Sequence, residues 1–200
     1  MTMFAQLLAH PGVEEIYEER SRFGFMAYHG GSLEVATDLI ASQAAARAGA
    51  SYYAVLQPAD LQWHIPSTRV RPEESPTLAA FLDHVDIVIT IHGYGRQNFF
   101  TSLLLGGRNR DLADHLGGHL RRALPAYEIL TDLEAIPSEL RGQHADNPVN
   151  RPAAAGVQLE LPPRVRGSSP LWWDWEGPGP VPHTEALIEA LAETARTWPA

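Results

Sequence analysis

The chain has 200 residues, is 44% apolar and carries a formal charge of -9. That is enough apolar material for one compact domain, but the wrong sign for a general nucleic-acid binder, which relies on Lys and Arg to neutralise phosphates. It has no cysteine, so disulfides and zinc-thiolate sites are excluded and any metal must rest on histidine and carboxylate. The first segment, "MTMFAQLLAHPGVEEIYEERS", lacks a basic start and a long apolar run, and no stretch approaches the ~20 apolar residues of a membrane span. The expectation is a soluble, cytoplasmic protein without a membrane or nucleic-acid partner.

Taken in chain order, short apolar runs bounded by turn residues predict strands over 23–28, 52–56, 86–91, 99–104, 126–130 and 156–161. Helical patterns fall between them and after them. The alanine-rich stretch 33–48 is one, and "NRDLADHLGGHLRRAL" and "HTEALIEALAETARTW" space apolar residues by three and four. Such alternation predicts an α/β fold, a single domain over residues 1–200 with a mixed sheet flanked by helices. Three segments rich in proline and polar residues read as long irregular connections: "LQPADLQWHIPSTRVRPEESP", "PSELRGQHADNPVNRPAAAG" and "LPPRVRGSSPLWWDWEGPGPVP". Long loops of this kind often carry sites.

Two histidines stand in matching contexts. "FGFMAYHGG" and "DIVITIHGYG" each place His-Gly directly after an apolar run, so His29 and His92 are expected at the carboxyl ends of strands, where ligands bind in open α/β sheets. Glu34 follows His29 by five residues, just past a Gly-Gly turn tight enough to bring carboxylate and imidazole together. Two imidazoles, one carboxylate and a position left to water form the ligand set of many catalytic zinc sites. In "GVQLELPPRVR", strand alternation puts Val157, Leu159 and Leu161 on one face and Gln158 and Glu160 on the other. Glu160 is therefore the candidate general base, with a solvated edge carboxylate as the alternative. Any single histidine here also fits an ordinary structural role. The combination carries the metal reading.

The ordered set "HGGSLEVAT", "ITIHGYG", "GGRNRDLADHL" and "NPVNRPAAAGVQLEL" resembles the zinc-dependent poly-γ-glutamate hydrolase family, first known from bacteriophages, over roughly residues 23–166. The resemblance implies a carboxypeptidase/phosphorylase-like α/β fold, one Zn2+, and hydrolysis of amide bonds between γ-linked glutamates. It implies His29, Glu34 and His92 as metal ligands and Glu160 as the catalytic carboxylate. Members often have glycine before the threonine of the first motif, where this chain has Ala36, and isoleucine where it has Pro148. The ligands are untouched by these changes.

A γ-glutamyl polymer carries a carboxylate on every unit, so an acidic chain that cuts it needs fixed positive charge in the cleft. Arg96, Arg108, Arg110, Arg141 and Arg151 flank the site motifs, and a guanidinium fork matches a carboxylate. Arg151, Arg108, Arg141 and Asn150 are the expected substrate-binding residues, with a surface salt bridge as the alternative for each arginine. Tyr94 and His64 are weaker candidates, and the tryptophans of "PLWWDWEGPG" receive no role. Rival readings are the same machinery acting on another acylated amino acid, peptide or small amide, and a metal-free phage-associated binding module. Histidine ring nitrogens not used for metal are expected to meet a carboxylate or carbonyl, Asp60, Asp86 and backbone oxygens being available.

Overall fold

The computed structural model describes residues 2–199. Its strands are β1 (Glu14–Glu18), β2 (Ser21–Gly31), β3 (Ala50–Gln57), β4 (Ile87–Gly93), β5 (Ser102–Leu105), β6 (Glu128–Leu130) and β7 (Gly156–Leu161). They form one mixed sheet in the order β1-β3-β2-β4-β7-β5-β6. The central strands β3, β2, β4 and β7 run parallel, whereas β1 and β5 pair antiparallel with β3 and β7.

The chain passes from β2 through helix α2 (Thr37–Ala48) to β3 on one side, then through α3 (Pro76–His84) to β4 on the other side of β2. That reversal makes the carboxyl ends of β2 and β4 a topological switch point, where an open sheet forms a crevice. His29 and His92 stand at those two ends.

Alternation along β2 divides the core between the two faces of the sheet. Phe25 and Ala27 pack with Ile40 and Ala44 of α2, with Ile89 and Leu159, and with Leu187 of α5 (Pro182–Thr197). Met26 and Tyr28 face the other way, toward Tyr53, Val88 and the α3 residues Leu78 and Phe81. Helix α4 (Arg110–Ala123) lies on the α2 side with Leu112, Leu116 and Leu120 buried, and α1 (Met3–Leu8) adds Phe4 and Leu7 to the α3 side. Helices α3 and α4 start on side-chain caps, Ser75 accepting from the Leu78 amide and Asn109 from that of Leu112.

The structure departs from the expected elements where tertiary contacts outweigh local pattern. Helix α2 starts at Thr37, not at 33, so Glu34 sits in a turn and not on the helix. Strand β5 starts at Ser102, three residues later than expected. Strand β1, with the sequence "EEIYE", carries no apolar run; as an edge strand it needs none. Glu160 does face away from Val157, Leu159 and Leu161, which join the core, yet it is itself 4% exposed. Strand β7 is covered on both faces.

Candidate metal centre and active site

The β2–α2 connection turns on Gly31, at φ +69°, where a Cβ would lie 2.7 Å from the Gln57 nitrogen. A side chain is excluded there by both conformation and space. The turn returns at once: the Glu34 amide donates to the His29 carbonyl at 3.0 Å, which carries the carboxylate back over the imidazole. Glu34 Oε1 then lies 2.9 Å from His29 Nδ1, and Oε2 lies 3.3 Å from His92 Nδ1 while accepting from the Gly93 amide at 2.8 Å. One carboxylate therefore spans both histidines.

The far side of each ring is anchored too. His29 Nε2 lies 2.8 Å from the Ile65 carbonyl, a group that only accepts, so Nε2 must carry the proton. His92 Nε2 lies 3.0 Å from Tyr28 Oη. Burial pushes that phenol far above its ordinary range, so it stays neutral. In neutral His29 the Nδ1 lone pair thus points at a carboxylate oxygen, an arrangement that asks for a proton or a cation between them. Burial acts to raise the Glu34 pKa, but the charges of His92 and His29 and their hydrogen bonds hold it well below the usual carboxylate range. For His92, burial acts downward and is outweighed by Glu34, leaving its pKa raised. The donor set suits a borderline-soft divalent metal such as zinc, which takes imidazole and carboxylate.

Register brings the candidate base to this point. His92 on β4 pairs with Glu160 on β7, and both line a cavity of about 890 Å³ together with His29, Glu34 and His64. Burial pushes the Glu160 carboxyl up to about 7, even though His92 acts in the opposite direction. Gln158 Nε2 donates to Glu160 Oε1 at 2.9 Å, and Asn147 Nδ2 donates to Gln158 Oε1 at 2.7 Å. Asn147 Oδ1 lies 3.5 Å from Tyr28 Oη, so a buried polar chain runs from His92 to Glu160.

His64, a weak candidate from sequence, belongs to this site. Its ring lies 4.7 Å from that of His29, centroid to centroid, and ligand atoms of His29, Glu34 and His64 fall within 4.8 Å of one another. The loop that presents it is pinned on both sides: the buried Gln57 amide pairs with both backbone groups of Trp63, and the Ile65 carbonyl receives His29. Tyr94 lines the cavity, but its hydroxyl is spent on the Phe99 and Ser102 carbonyls.

The four expected substrate-binding residues do not gather. Arg108 alone among them lines the cavity, its Nε donating to the Gln143 carbonyl. Asn150 is spent on the backbone, accepting from the Arg108 amide and donating to the Gly142 and His144 carbonyls. Arg141 bonds the Ile136 carbonyl and Glu134, and Arg151 pairs with Glu73 at 2.7 Å beside a separate surface depression. Of the other two, Arg110 binds main-chain carbonyls and Arg96 pairs with Glu139 at the cavity lining. Asp86 is held by Arg22; Ile65 and Tyr28 meet the ring nitrogens instead.

A family model described as poly-gamma-glutamate hydrolase matches residues 5–169. The chain belongs to that family. It is a hydrolase, and solved structures share its fold. A bacteriophage poly-gamma-glutamate hydrolase superposes with a TM-score of 0.74 at 20% identity, covering 94% of this chain and 91% of the other. A zinc-free form of YNDL superposes with the same score and identity over 92% and 90% of the two chains. A metallo-carboxypeptidase from Burkholderia cenocepacia shares the fold more distantly, with a TM-score of 0.51 at 8% identity over 97% of this chain and 68% of that one. A search of the curated proteins finds no match. Among the described residues, no helix is long and apolar enough to cross a membrane.

Proposed function

We propose that this chain is a zinc-dependent hydrolase of γ-glutamyl amide bonds, with His29, Glu34 and His92 holding the metal and Glu160 moving the proton. The observation that carries the reading is the Glu34 carboxylate placed against both Nδ1 atoms, with His29 Nε2 fixed as a donor to Ile65. Bound there, zinc would supply Lewis acidity, bringing the pKa of water down to roughly 7 and polarising the scissile carbonyl.

The remaining work falls to the chain. Glu160 takes a proton from the attacking water and returns it to the departing amine nitrogen, a task for which a pKa of about 7 is well matched. Gln158 holds one Glu160 oxygen as an acceptor, which leaves the other to carry the proton. Arg108, at the cavity lining, is the candidate to pair with a substrate carboxylate. The substrate class follows from the family together with this cation in an otherwise acidic protein.

Metal analysis of the purified protein, followed by assays on poly-γ-glutamate, α-linked polyglutamate and a neutral peptide, tests the proposal. About one zinc per chain and preference for the γ-linked polymer are expected. Equal rates on all three would favour the broader amide hydrolase, and full activity after metal removal would overturn the mechanism.

A further inference from the structure

Arg166 was not among the arginines singled out by sequence, yet it lies at the centre of the site's architecture. Its Nη1 donates to the Val35 carbonyl at 2.6 Å and its Nε to the Leu161 carbonyl at 3.1 Å. Between these bonds the guanidinium packs on the backbone of Gly93, where an added Cβ would lie 2.7 Å from Cζ and 3.0 Å from Nε. Three segments meet on it: the turn that carries Glu34, the end of β4 next to His92, and the end of β7 next to Glu160.

We infer that Arg166 is a positioning residue for the metal centre, its guanidinium clamping the Glu34 turn onto the ends of β4 and β7. This rests on the metal site proposed above. Glu34 reaches the metal position only if its turn stays seated on β4, where Oε2 accepts from the Gly93 amide. Local bonds shape the turn, Thr37 Oγ1 donating to the Glu34 carbonyl and the Gly31 amide to Asp38 Oδ1, but they do not tie its Val35 end to β4 and β7. Ala36, directly after Val35, sits in the left-handed region at φ +71° and caps α2 with no side-chain hydrogen bond, a conformation that is strained for an L-residue. The bond from Arg166 to Val35 supplies a tie from 131 positions away in the chain.

The electrostatics agree. Among the described residues Arg166 makes no ion pair, although burial acts to lower its pKa, and the carboxylates acting to raise it are Glu34 and Glu160. A cation there steadies both site carboxylates without occupying either of them. Gly93 is the matching half of the device: the strand end needs a residue with no side chain so that the planar group can lie against it.

The test uses the zinc-loaded full chain and the variants Arg166→Gln, Arg166→Lys, Gly93→Ala and Gly93→Ala combined with Arg166→Gln. Metal affinity is read by chelator competition, ligand geometry by the visible spectrum of the cobalt-substituted protein, and turnover as kcat and KM separately. Arg166→Gln should weaken metal binding about 10- to 100-fold, in the range of other outer-shell changes. It should also alter the cobalt spectrum and lower kcat with little change in KM. Lysine keeps the charge but cannot reach two carbonyls in diverging directions, so its rescue should be partial. Gly93→Ala should weaken metal binding from the opposite side of the contact, and the double variant should be no worse than Arg166→Gln, since both changes break one clamp.

Wild-type metal affinity and cobalt spectrum in Arg166→Gln would overturn the inference. Should that variant fail to fold, wild-type affinity in Gly93→Ala would overturn it equally. A wild-type protein that binds no zinc would sink the metal reading and this inference together, whereas normal zinc binding in both wild type and variants would sink the inference alone.

Discussion

Burial pushes the Glu160 carboxyl to about 7 while Gln158 occupies one of its oxygens, so near neutral pH this residue is poised to accept and return a proton. Glu160→Gln should keep its metal and lose about 10²- to 10⁴-fold in kcat, measured on metal-quantified protein; wild-type turnover would remove Glu160 from the chemistry. The same residue predicts a pH dependence of stability in the metal-free protein. Its folded pKa exceeds its ordinary 4.5, so the folded state binds the proton more tightly, and the contribution is complete below pH 4.5. It is lost as pH rises from 4.5 to about 7, by on the order of 3 kcal/mol. Denaturant melts of wild type and Glu160→Gln in chelator should show the wild type losing ground over that window. Curves that stay parallel would contradict the assignment. His92 and His64 are separable in the same way. His92 is buried and anchored through Tyr28, whereas His64 is exposed, so His92→Ala should lose metal and His64→Ala should retain most of it. The reverse result would exchange their roles.

At the scale of elements, the turn from β2 into α2 is the strained part of the site. Ala36 at φ +71° carries a cost that glycine does not, so Ala36→Gly should raise stability by about 1 kcal/mol, read from denaturant midpoints at constant slope. A loss would mean that the turn takes its shape from contacts to the Ala36 methyl. This turn also shows where sequence reading stops. The alanine-rich run predicts helix from residue 33 because alanine favours helix wherever it falls. The glycine that family members often carry here is the one hint of a left-handed Ala36, and the local pattern by itself puts Glu34 on a helix that it precedes. The strand ends were legible because an apolar run that breaks at His-Gly marks both buried strand and exit, as at His29 and His92. Glu160 was legible from two-residue alternation in "GVQLEL". His64, Arg166 and the seats of Arg141 and Arg151 depend on how long loops fold back on the sheet, and loops carry no period from which to read that.

The whole molecule carries a charge of -9, and its cavity is lined by Glu34, Glu139 and Glu160 as well as Arg108. A polyanionic substrate must therefore be drawn in by a local field against the repulsion of the remainder. Raising ionic strength toward physiological values should ease the long-range repulsion, which is screened over about 8–10 Å, while leaving the close pair with Arg108 in place. Arg108→Lys, which keeps charge but loses the planar fork, should raise KM for poly-γ-glutamate with zinc content unchanged; an unaltered KM would place carboxylate recognition elsewhere. The fold puts the candidate groups at one switch point of the sheet, His29 and His92 on β2 and β4 and Glu160 on β7 beside them. The most direct measurement is the rate of poly-γ-glutamate cleavage by the purified protein as isolated, after its metal is stripped by a chelator, and after one equivalent of zinc is returned. Cleavage, its loss and its recovery are expected, with α-linked polyglutamate cut far more slowly in the two metal-loaded states. Cleavage that persists in the stripped protein, or equal cleavage of the two polymers, would contradict the proposed function.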